Sequence, residues 1–219
     1  MRQTKILGLA FFATFVLSVM TSAAASAAKP EFSPVKVKFT TKGESSDIER
    51  KDGKKIECST STGSGEITAE KSGTFDLLLE GCKIKEGMIN IKCTGLNDTI
   101  QGSILIKGTF DLRYSLLAAK HTVIVFLPEE FHFACAVVLI RVRGQLVCPI
   151  EPLNKKAKEF TITCKEEKGV NDFTEADNAE NTKSEKYFLL ASVAEEPFEQ
   201  SGALATEKLT TEMEVEISA

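Results

Sequence analysis

The cysteine pattern constrains the fold of this chain more than any other feature of its sequence. The chain has six cysteines: Cys58, Cys82, Cys93, Cys135, Cys148 and Cys164. No two of them form a C-x-x-C pair, and the only histidines, His121 and His132, lack the spacing of zinc ligands. An even number of cysteines in an exported chain is typical of disulfides. The sequence therefore predicts a disulfide-stapled domain with no metal site and no cofactor.

The N-terminus has the order of a secretory signal peptide. Residues 1–5 are short and positive, residues 6–20 form an uncharged apolar run, and residues 21–28 are small or polar. The apolar run is shorter than the roughly 20 residues that a spanning helix needs. We therefore expect a signal peptide at residues 1–27, cleaved after Ala27, with an uncleaved anchor as the alternative. No sorting motif follows Ile217, which favours release from the cell over attachment to the envelope.

The charge and length of the mature chain limit its class. Cleavage after residue 27 of 219 leaves 192 residues, with 25 basic and 31 acidic side chains and a net charge of −6. This acidic balance argues against a nucleic-acid-binding protein, which needs a basic face. The length suits one substantial core, so we predict a single domain over residues 28–219. No second apolar run occurs, and we expect no transmembrane segment after cleavage.

One pair of cysteines follows from strand periodicity. Cys148 is in phase with Ile150, and Cys164 is in phase with Ile162, on either side of the polar segment 153–159. A hairpin centred on that segment places Ile150 opposite Ile162 and Cys148 opposite Cys164. Two opposed cysteines on one face lie within bridging distance. The sequence predicts that this disulfide joins the two arms of a hairpin, with two buried thiols as the alternative.

The pairing of the other four cysteines follows less directly from the sequence. Cys58 and Cys82 lie at similar distances from a predicted turn at residues 70–73, which favours their pairing across a second hairpin. Cys93 and Cys135 then pair by exclusion.

Alternating apolar residues predict many short strands. Such segments occur at residues 35–39, 104–116, 123–127, 131–140, 187–193 and 213–217. Gly108 predicts a bend in the longest of them. The segment 131–140 is apolar on both faces, which is typical of a central strand covered on both sides. Because no helical stripe follows residue 28, we predict an all-β fold, an antiparallel β-sandwich or a barrel-like structure with long polar loops.

Two polar segments are predicted to connect these strands. Residues 42–55 form the first, and residues 165–186 form the second and longer one. The second segment lacks the apolar residues that would dock a helix. We expect it to be a mobile surface loop and a candidate functional surface.

Four segments resemble a large group of uncharacterised exported bacterial proteins, in which a signal peptide precedes a cysteine-containing all-β domain. The segments are CSTSTGSGEIT at residues 58–68, LEGC at 79–82, RVRGQLVCPIEPLNKKAKEFTIT at 141–163 and PFEQSGALATEKLTTEMEVEI at 197–217. The resemblance implies export and β architecture. Cys148 and Cys164 are not regular features of that group, so this chain is expected to carry an added disulfide. The group has no assigned activity, and the resemblance implies no catalytic residue.

Motifs for covalent or acid–base catalysis are incomplete. Ser64 lies in a GSG segment that is too short for a nucleophile elbow, and the phosphate loop Gly-x4-Gly-Lys-Ser/Thr is absent. His121 and His132 are candidate general bases, but the sequence places no partner beside either of them. Glu129 and Glu130 are adjacent in a predicted turn, where their carboxylates point in different directions, unlike the pair of a glycosidase. We assign no catalytic residue.

Candidate ligands for calcium are also incomplete. The oxygen-bearing residues Asp172, Asp177, Asn178 and Glu180 lack the alternating pattern and the glycine of a calcium loop. They favour a solvated acidic loop. The glycosylation pattern NDT at residues 97–99 is predicted to be a turn.

These features favour a non-enzymatic β-domain, secreted or envelope-associated, that serves as a binding or structural module. The alternatives are a secreted hydrolase whose site the sequence hides and an inhibitor-like or toxin-like protein. A hydrolase requires a nucleophile or an acid near a base in a cleft. An inhibitor requires a rigid exposed loop beside a disulfide, for which residues 149–157 are the candidate. The ligand, the oligomeric state and an envelope or extracellular partner are left open.

Overall fold

The chain folds as an all-β protein, which confirms the predicted class. The structure is a computed structural model that describes residues 29–86, 89–96, 98–115, 121–177 and 183–219. These residues form twenty β-strands and no helix. Accordingly, no helix of this part is long and apolar enough to cross a membrane. The predicted signal peptide lies outside the described residues.

The strands are numbered in chain order. The first ten are β1 Glu31–Ser33, β2 Val37–Gly43, β3 Ser46–Arg50, β4 Lys55–Cys58, β5 Thr60–Ala69, β6 Ser72–Glu80, β7 Lys83–Glu86, β8 Ile89–Gly95, β9 Ile104–Ser115 and β10 His121–Pro128. The second ten are β11 Phe131–Cys135, β12 Val138–Gly144, β13 Leu146–Glu151, β14 Lys156–Cys164, β15 Glu166–Glu167, β16 Val170–Asn171, β17 Glu175–Asp177, β18 Ser184–Lys186, β19 Leu189–Val193 and β20 Glu199–Ser218.

Eight strands close an antiparallel barrel, so the barrel-like form of the predicted fold is the one observed. Strands β2, β5, β6, β9, β10, β13, β14 and β20 each pair with the next, and β20 pairs back with β2. The short strand β1 adds to the end of β20. An eight-stranded barrel has an interior just wide enough for its own side chains or for one small ligand.

The remaining long strands form a second closed circuit. Strands β3, β4, β7, β8, β11, β12 and β19 pair in order, and the first part of β20 joins β19 to β3. The chain passes back and forth between the two circuits, because β4 leads into β5, β6 into β7 and β8 into β9. Strand β20 belongs to both, since residues 199–204 pair in the second circuit and residues 205–216 pair in the barrel.

Phenylalanine rings inside the barrel lie against glycines of neighbouring strands. Phe39 and Phe75 both face Gly65, and Phe75 also faces Gly108. A Cβ atom at Gly65 would collide with the ring of Phe39, and one at Gly108 would meet the backbone of Leu127. Glycine at these positions therefore leaves the space that the rings and the neighbouring backbone occupy. The bend predicted at Gly108 remains a prediction, and β9 keeps its register with β6 through this residue.

Two of the three disulfides link neighbouring strands, one joins the end of β4 to the residue before β7, and all three pairs are those predicted. The bonds are Cys58–Cys82, Cys93–Cys135 and Cys148–Cys164. The second bond joins residues that face each other in β8 and β11. The third follows the predicted hairpin register, in which Ile150 faces Ile162. All six half-cystines are buried in the main hydrophobic core.

Replacing Cys148 and Cys164 with serine is expected to lower the midpoint of thermal unfolding by several degrees while leaving the fold intact. The bond spans 16 residues, for which the chain-entropy model gives about 3 kcal/mol. For a chain of this size each kcal/mol corresponds to about 2–4 °C. Differential scanning calorimetry under non-reducing conditions measures this shift. An unchanged midpoint would show that the bond does not stabilise the folded state.

The apolar segment 131–140 is a hairpin, and its interpretation as one central strand was wrong. Strands β11 and β12 pair with each other, with Cys135 opposite Val138. Between them, Ala136 has a positive φ of 53°, and Val137 is 96% exposed. Sequence reasoning missed the turn because it contains none of the glycine, proline or asparagine residues that usually mark one.

The segment 42–55, predicted as a polar connection, contains strand β3. This strand pairs with β4 on one side and with β20 on the other. Its only buried apolar side chain is that of Ile48, so the alternation that signals a strand is almost absent. Backbone pairing on both sides, rather than an apolar face, accounts for the strand.

The final strand, predicted at residues 213–217, is the last part of β20, which begins at Glu199, and one of its side chains does not point as predicted. Met213 was placed on the buried face, and it is 47% exposed. The pairing of β14 with β20 is irregular there, because Glu159 faces Thr210 whereas Ala157 faces Val215. The extra residues of β20 bulge away from the barrel and carry Met213 outward.

The polar segment 165–186 contains two short antiparallel ladders, β15–β16 and β17–β18. Ala176 of β17 is fully buried in a small cluster with Tyr187. Arg113 of β9 donates hydrogen bonds to the Tyr187 hydroxyl and, over 3.1 Å, to the Asp177 carbonyl. The described part of the segment is therefore docked on the barrel through β17, and its mobility remains a prediction.

Candidate functional site

An apolar cavity of about 130 Å³ lies in the interior of the barrel, and residues of the second circuit, such as Ile48, Phe131 and Leu189, also line it. Half of the fourteen phenylalanines of the chain line it: Phe32, Phe39, Phe75, Phe110, Phe126, Phe131 and Phe160. Two buried carboxylates also contribute to the wall, those of Asp47 and Glu207. Asp47 forms an ion pair with Lys55 over 2.8 Å. Glu207 forms no ion pair with any described residue, so it is the unusual group of this cavity.

Strand alternation and one glycine place Glu207 inside the barrel. Glu207 and Leu209 are buried, whereas Lys208 between them is exposed. Gly43 of β2 lies opposite Glu207 on one side and opposite Ser61 of β5 on the other. A Cβ atom at Gly43 would overlap both the Glu207 carboxylate and the Ser61 hydroxyl. The missing side chain of Gly43 is therefore what lets Glu207 reach Ser61.

The carboxylate of Glu207 is only partly satisfied. The Ser61 hydroxyl donates a hydrogen bond to its Oε1 atom. Its Oε2 atom is buried and has no hydrogen-bond partner among the described residues. The Thr41 hydroxyl lies beside it, also buried, without the geometry of a hydrogen bond. A buried carboxylate oxygen without a partner is energetically unfavourable, because it has lost its hydration without compensation.

The pKa of Glu207 is shifted because its carboxyl group is buried. Burial raises the pKa of Glu207, and the hydroxyls of Ser61 and Thr41 reduce that shift. No charged side chain of the described residues contributes to the pKa of this group. The side chain is only 8% exposed, so it sits in a largely water-free wall. A perturbed carboxylate in an apolar cavity is a candidate binding group.

Three of the acid–base candidates of the sequence, Glu129, Glu130 and His132, meet in a surface groove outside the barrel cavity. Nε2 of His132 lies 2.8 Å from Oε1 of Glu130, and both side chains are about 40% exposed. The hydrogen bond with His132 lowers the pKa of Glu130. Glu129 and Lys107 also line the groove. Among its described lining residues there is no serine, threonine, cysteine or tyrosine.

The other sequence candidates do not assemble into a site. Ser64 is exposed and is one of the residues that line the apolar cavity, but no histidine is among the described lining residues. The ring of His121 contacts that of Phe173 with centroids 5.8 Å apart. Asp172 is exposed and Asp177 is half-buried. The other two calcium candidates, at positions 178 and 180, and the first residue of the glycosylation pattern lie outside the described residues. In the part of the chain that is described, no three His, Cys, Asp or Glu side chains cluster closely enough to hold a metal ion.

The hairpin tip at residues 149–157 is tied to the end of the chain. The amide of Asn154 donates a hydrogen bond to the Ile217 carbonyl over 2.7 Å. The Oδ1 atom of Asn154 accepts one from the Ala219 amide over 2.8 Å. Leu153 packs against the hydrophobic core. The tip therefore lies against β20 instead of projecting as a free loop.

Sequence reasoning missed Glu207, although one signal was present. In the segment ALATEKLTTE, residues 203–212, a glutamate takes an alternate position that apolar Ala205 and Leu209 otherwise fill. The pairing partner that makes room for it, Gly43, lies far away in the sequence and could not be inferred. In comparisons with known proteins, no family model, curated protein or solved structure matches this chain.

Proposed function

We propose that this protein is an exported, non-enzymatic binding protein that holds one small, mostly apolar molecule inside its barrel. The observation that carries the proposal is the phenylalanine-lined cavity with the partly satisfied Glu207 in its wall. Ligand sites are typically concave and apolar, with a few polar groups that orient the ligand.

The volume of the cavity sets the size of the ligand. An engineered apolar cavity of about 150 Å³ binds benzene, whereas pockets for drug-sized ligands span roughly 300–1,000 Å³. The barrel cavity, at about 130 Å³, belongs with the former. The ligand is therefore expected to have one ring or a short branched chain.

Export rests on separate support. Disulfides form and persist in oxidising compartments, and the described chain has three disulfides and no free cysteine. The acidic net charge supports an extracellular or envelope partner over a nucleic acid. The hydrolase alternative has less support, because the groove with Glu130 and His132 has no hydroxyl or thiol side chain among its described lining residues and both side chains are widely exposed.

Saturating toluene is expected to raise the midpoint of thermal unfolding by a few degrees. A ligand that binds only the folded state stabilises it by about 2.7 kcal/mol at a hundredfold excess over its dissociation constant. Ala205→Leu should remove this effect, because Ala205 lines the cavity and a larger side chain there occupies the binding volume. Calorimetry in sealed cells measures the shift in midpoint for the disulfide-bonded protein, both unsubstituted and with Ala205→Leu.

Ala69→Leu provides the matched control, because Ala69 is exposed at the end of β5. This variant should respond to toluene as the unsubstituted protein does. An absent shift in the unsubstituted protein, or an equal shift in Ala205→Leu, would overturn the proposed function.

A further inference from the structure

The polar atoms around Glu207 are all suited to accept hydrogen bonds from one ligand group. Oε2 of Glu207 and Oγ1 of Thr41 are both buried and have no partner among the described residues. The Ser61 hydroxyl donates to Oε1 of the same carboxylate and keeps lone pairs free. Glu207 and Thr41 both line the cavity, so its wall holds two buried oxygen acceptors without partners, one of them from a carboxylate.

The charge of this position also lacks a counterpart in the chain. No Lys, Arg or His among the described residues forms an ion pair with Glu207. On the two strands that pair with β20 at this point, the residues opposite Glu207 are Gly43 and Ile162, both uncharged. Burying one carboxylate without a partner is unfavourable, and a cation that enters the cavity would remove that penalty.

A primary ammonium group fits both observations. It carries one positive charge and three N–H donors, which match the carboxylate charge and the neighbouring oxygen acceptors. A hydroxyl group would supply a single donor and no charge. The rest of the ligand must be apolar and small, because apolar side chains form most of the cavity wall.

From this geometry we infer that the barrel selects small apolar primary amines and that Glu207 is the specificity-determining residue. This inference rests on the proposed function, since it names the class of molecule that the cavity takes. Thr41 is a second binding residue, whose hydroxyl accepts another N–H of the ligand. Gly43 is a positioning residue, because its missing side chain admits the carboxylate.

Three probes of one size separate this inference from the proposed function. Benzylamine, benzyl alcohol and toluene share a ring and a one-carbon substituent, and only benzylamine is a cation at neutral pH. We expect benzylamine to bind at least roughly tenfold more tightly than either of the other two. Hydrogen bonds to charged groups are stronger than neutral ones, and the difference in free energy corresponds to about a tenfold difference in affinity. Isothermal titration calorimetry of the disulfide-bonded protein measures all three affinities.

Two substitutions connect the preference to the named atoms. Glu207→Gln keeps the shape of the side chain and removes the charge, so the preference for benzylamine should disappear while toluene binding persists. Thr41→Val removes one acceptor at similar volume and should weaken benzylamine binding several-fold more than toluene binding. Glu214→Gln, which changes an exposed carboxylate on the same strand, is the matched control and should preserve the preference. Thr41→Val also provides the test if Glu207→Gln does not fold.

The outcomes are distinguishable. Equal affinity for toluene and benzylamine would overturn the amine inference and leave the proposed function standing. Equal affinity for benzyl alcohol and benzylamine would show that a neutral donor suffices, which also overturns the inference. If none of the three probes binds, the proposed function itself fails.

Discussion

The midpoint of thermal unfolding is expected to fall by about 10 °C when Cys93 and Cys135 are both replaced with alanine. This disulfide spans 42 residues, compared with 24 and 16 for the other two. In the chain-entropy model the stabilisation grows with the length of the closed loop, to about 4 kcal/mol for this bond. Both half-cystines are at most 1% exposed, so alanine also removes packed sulfur atoms from the core.

The alanine variant of Cys148 and Cys164 is the comparison for this prediction. It removes an equally buried bond that spans fewer residues, so its midpoint should fall less. Both variants are measured by calorimetry under non-reducing conditions, with near-ultraviolet circular dichroism as a check on the fold. A larger loss from the shorter loop would show that local packing, and not loop closure, determines what the disulfides contribute.

Two of the three disulfides were predictable because their cysteines are placed symmetrically about a predicted turn, and Cys93–Cys135 then followed by exclusion. Ile150 and Ile162 are in phase with Cys148 and Cys164 and contact each other in the fold. The same reasoning placed Cys58 and Cys82 on either side of the β5–β6 turn. The alternation of apolar residues therefore predicted the all-β class and helped to predict the disulfide pairs.

The closure of the barrel could not be read from the same pattern. Alternation shows which side chains share a face, but it does not show which distant strand completes the ring. The pairing of β20 with β2, which closes the barrel, joins residues about 170 positions apart in the chain, such as Phe39 and Thr211. The turn at Ala136 was missed for a different reason, because apolar residues there adopt a conformation that glycine or asparagine usually signals.

The candidate site depends on that hidden closure. Glu207 is an ordinary polar residue of an alternating strand until β2 places Gly43 opposite it and β5 places Ser61 beyond. Only the closed ring turns one face of β20 into an apolar interior. The residues that sequence motifs highlighted, such as His132 and Glu130, lie on the exposed side of the protein. The site is thus a product of long-range pairing, which no local motif reports.

Glutamine in place of Glu207 is expected to raise the midpoint of thermal unfolding at neutral pH by a few degrees in the absence of ligand. Burial raises the pKa of Glu207 in the folded state, so the folded protein holds this proton to a higher pH than the unfolded chain does. The stability that the group contributes is therefore complete below the usual carboxyl range and is lost as the pH rises through the folded-state pKa. Glutamine has the same shape and does not titrate, so it escapes this loss.

The pH dependence distinguishes this explanation from simple repacking. The difference in midpoint between Glu207→Gln and the unsubstituted protein should be near zero in acid and should grow toward neutral pH, because the other titrating groups cancel in the comparison. Glu214→Gln, at an exposed position, should show no such trend. A difference that is constant with pH would show that the carboxylate is not destabilising when charged. A stabilised variant that has also lost its preference for benzylamine would mean that the protein retains an unfavourable buried charge because that charge binds its ligand.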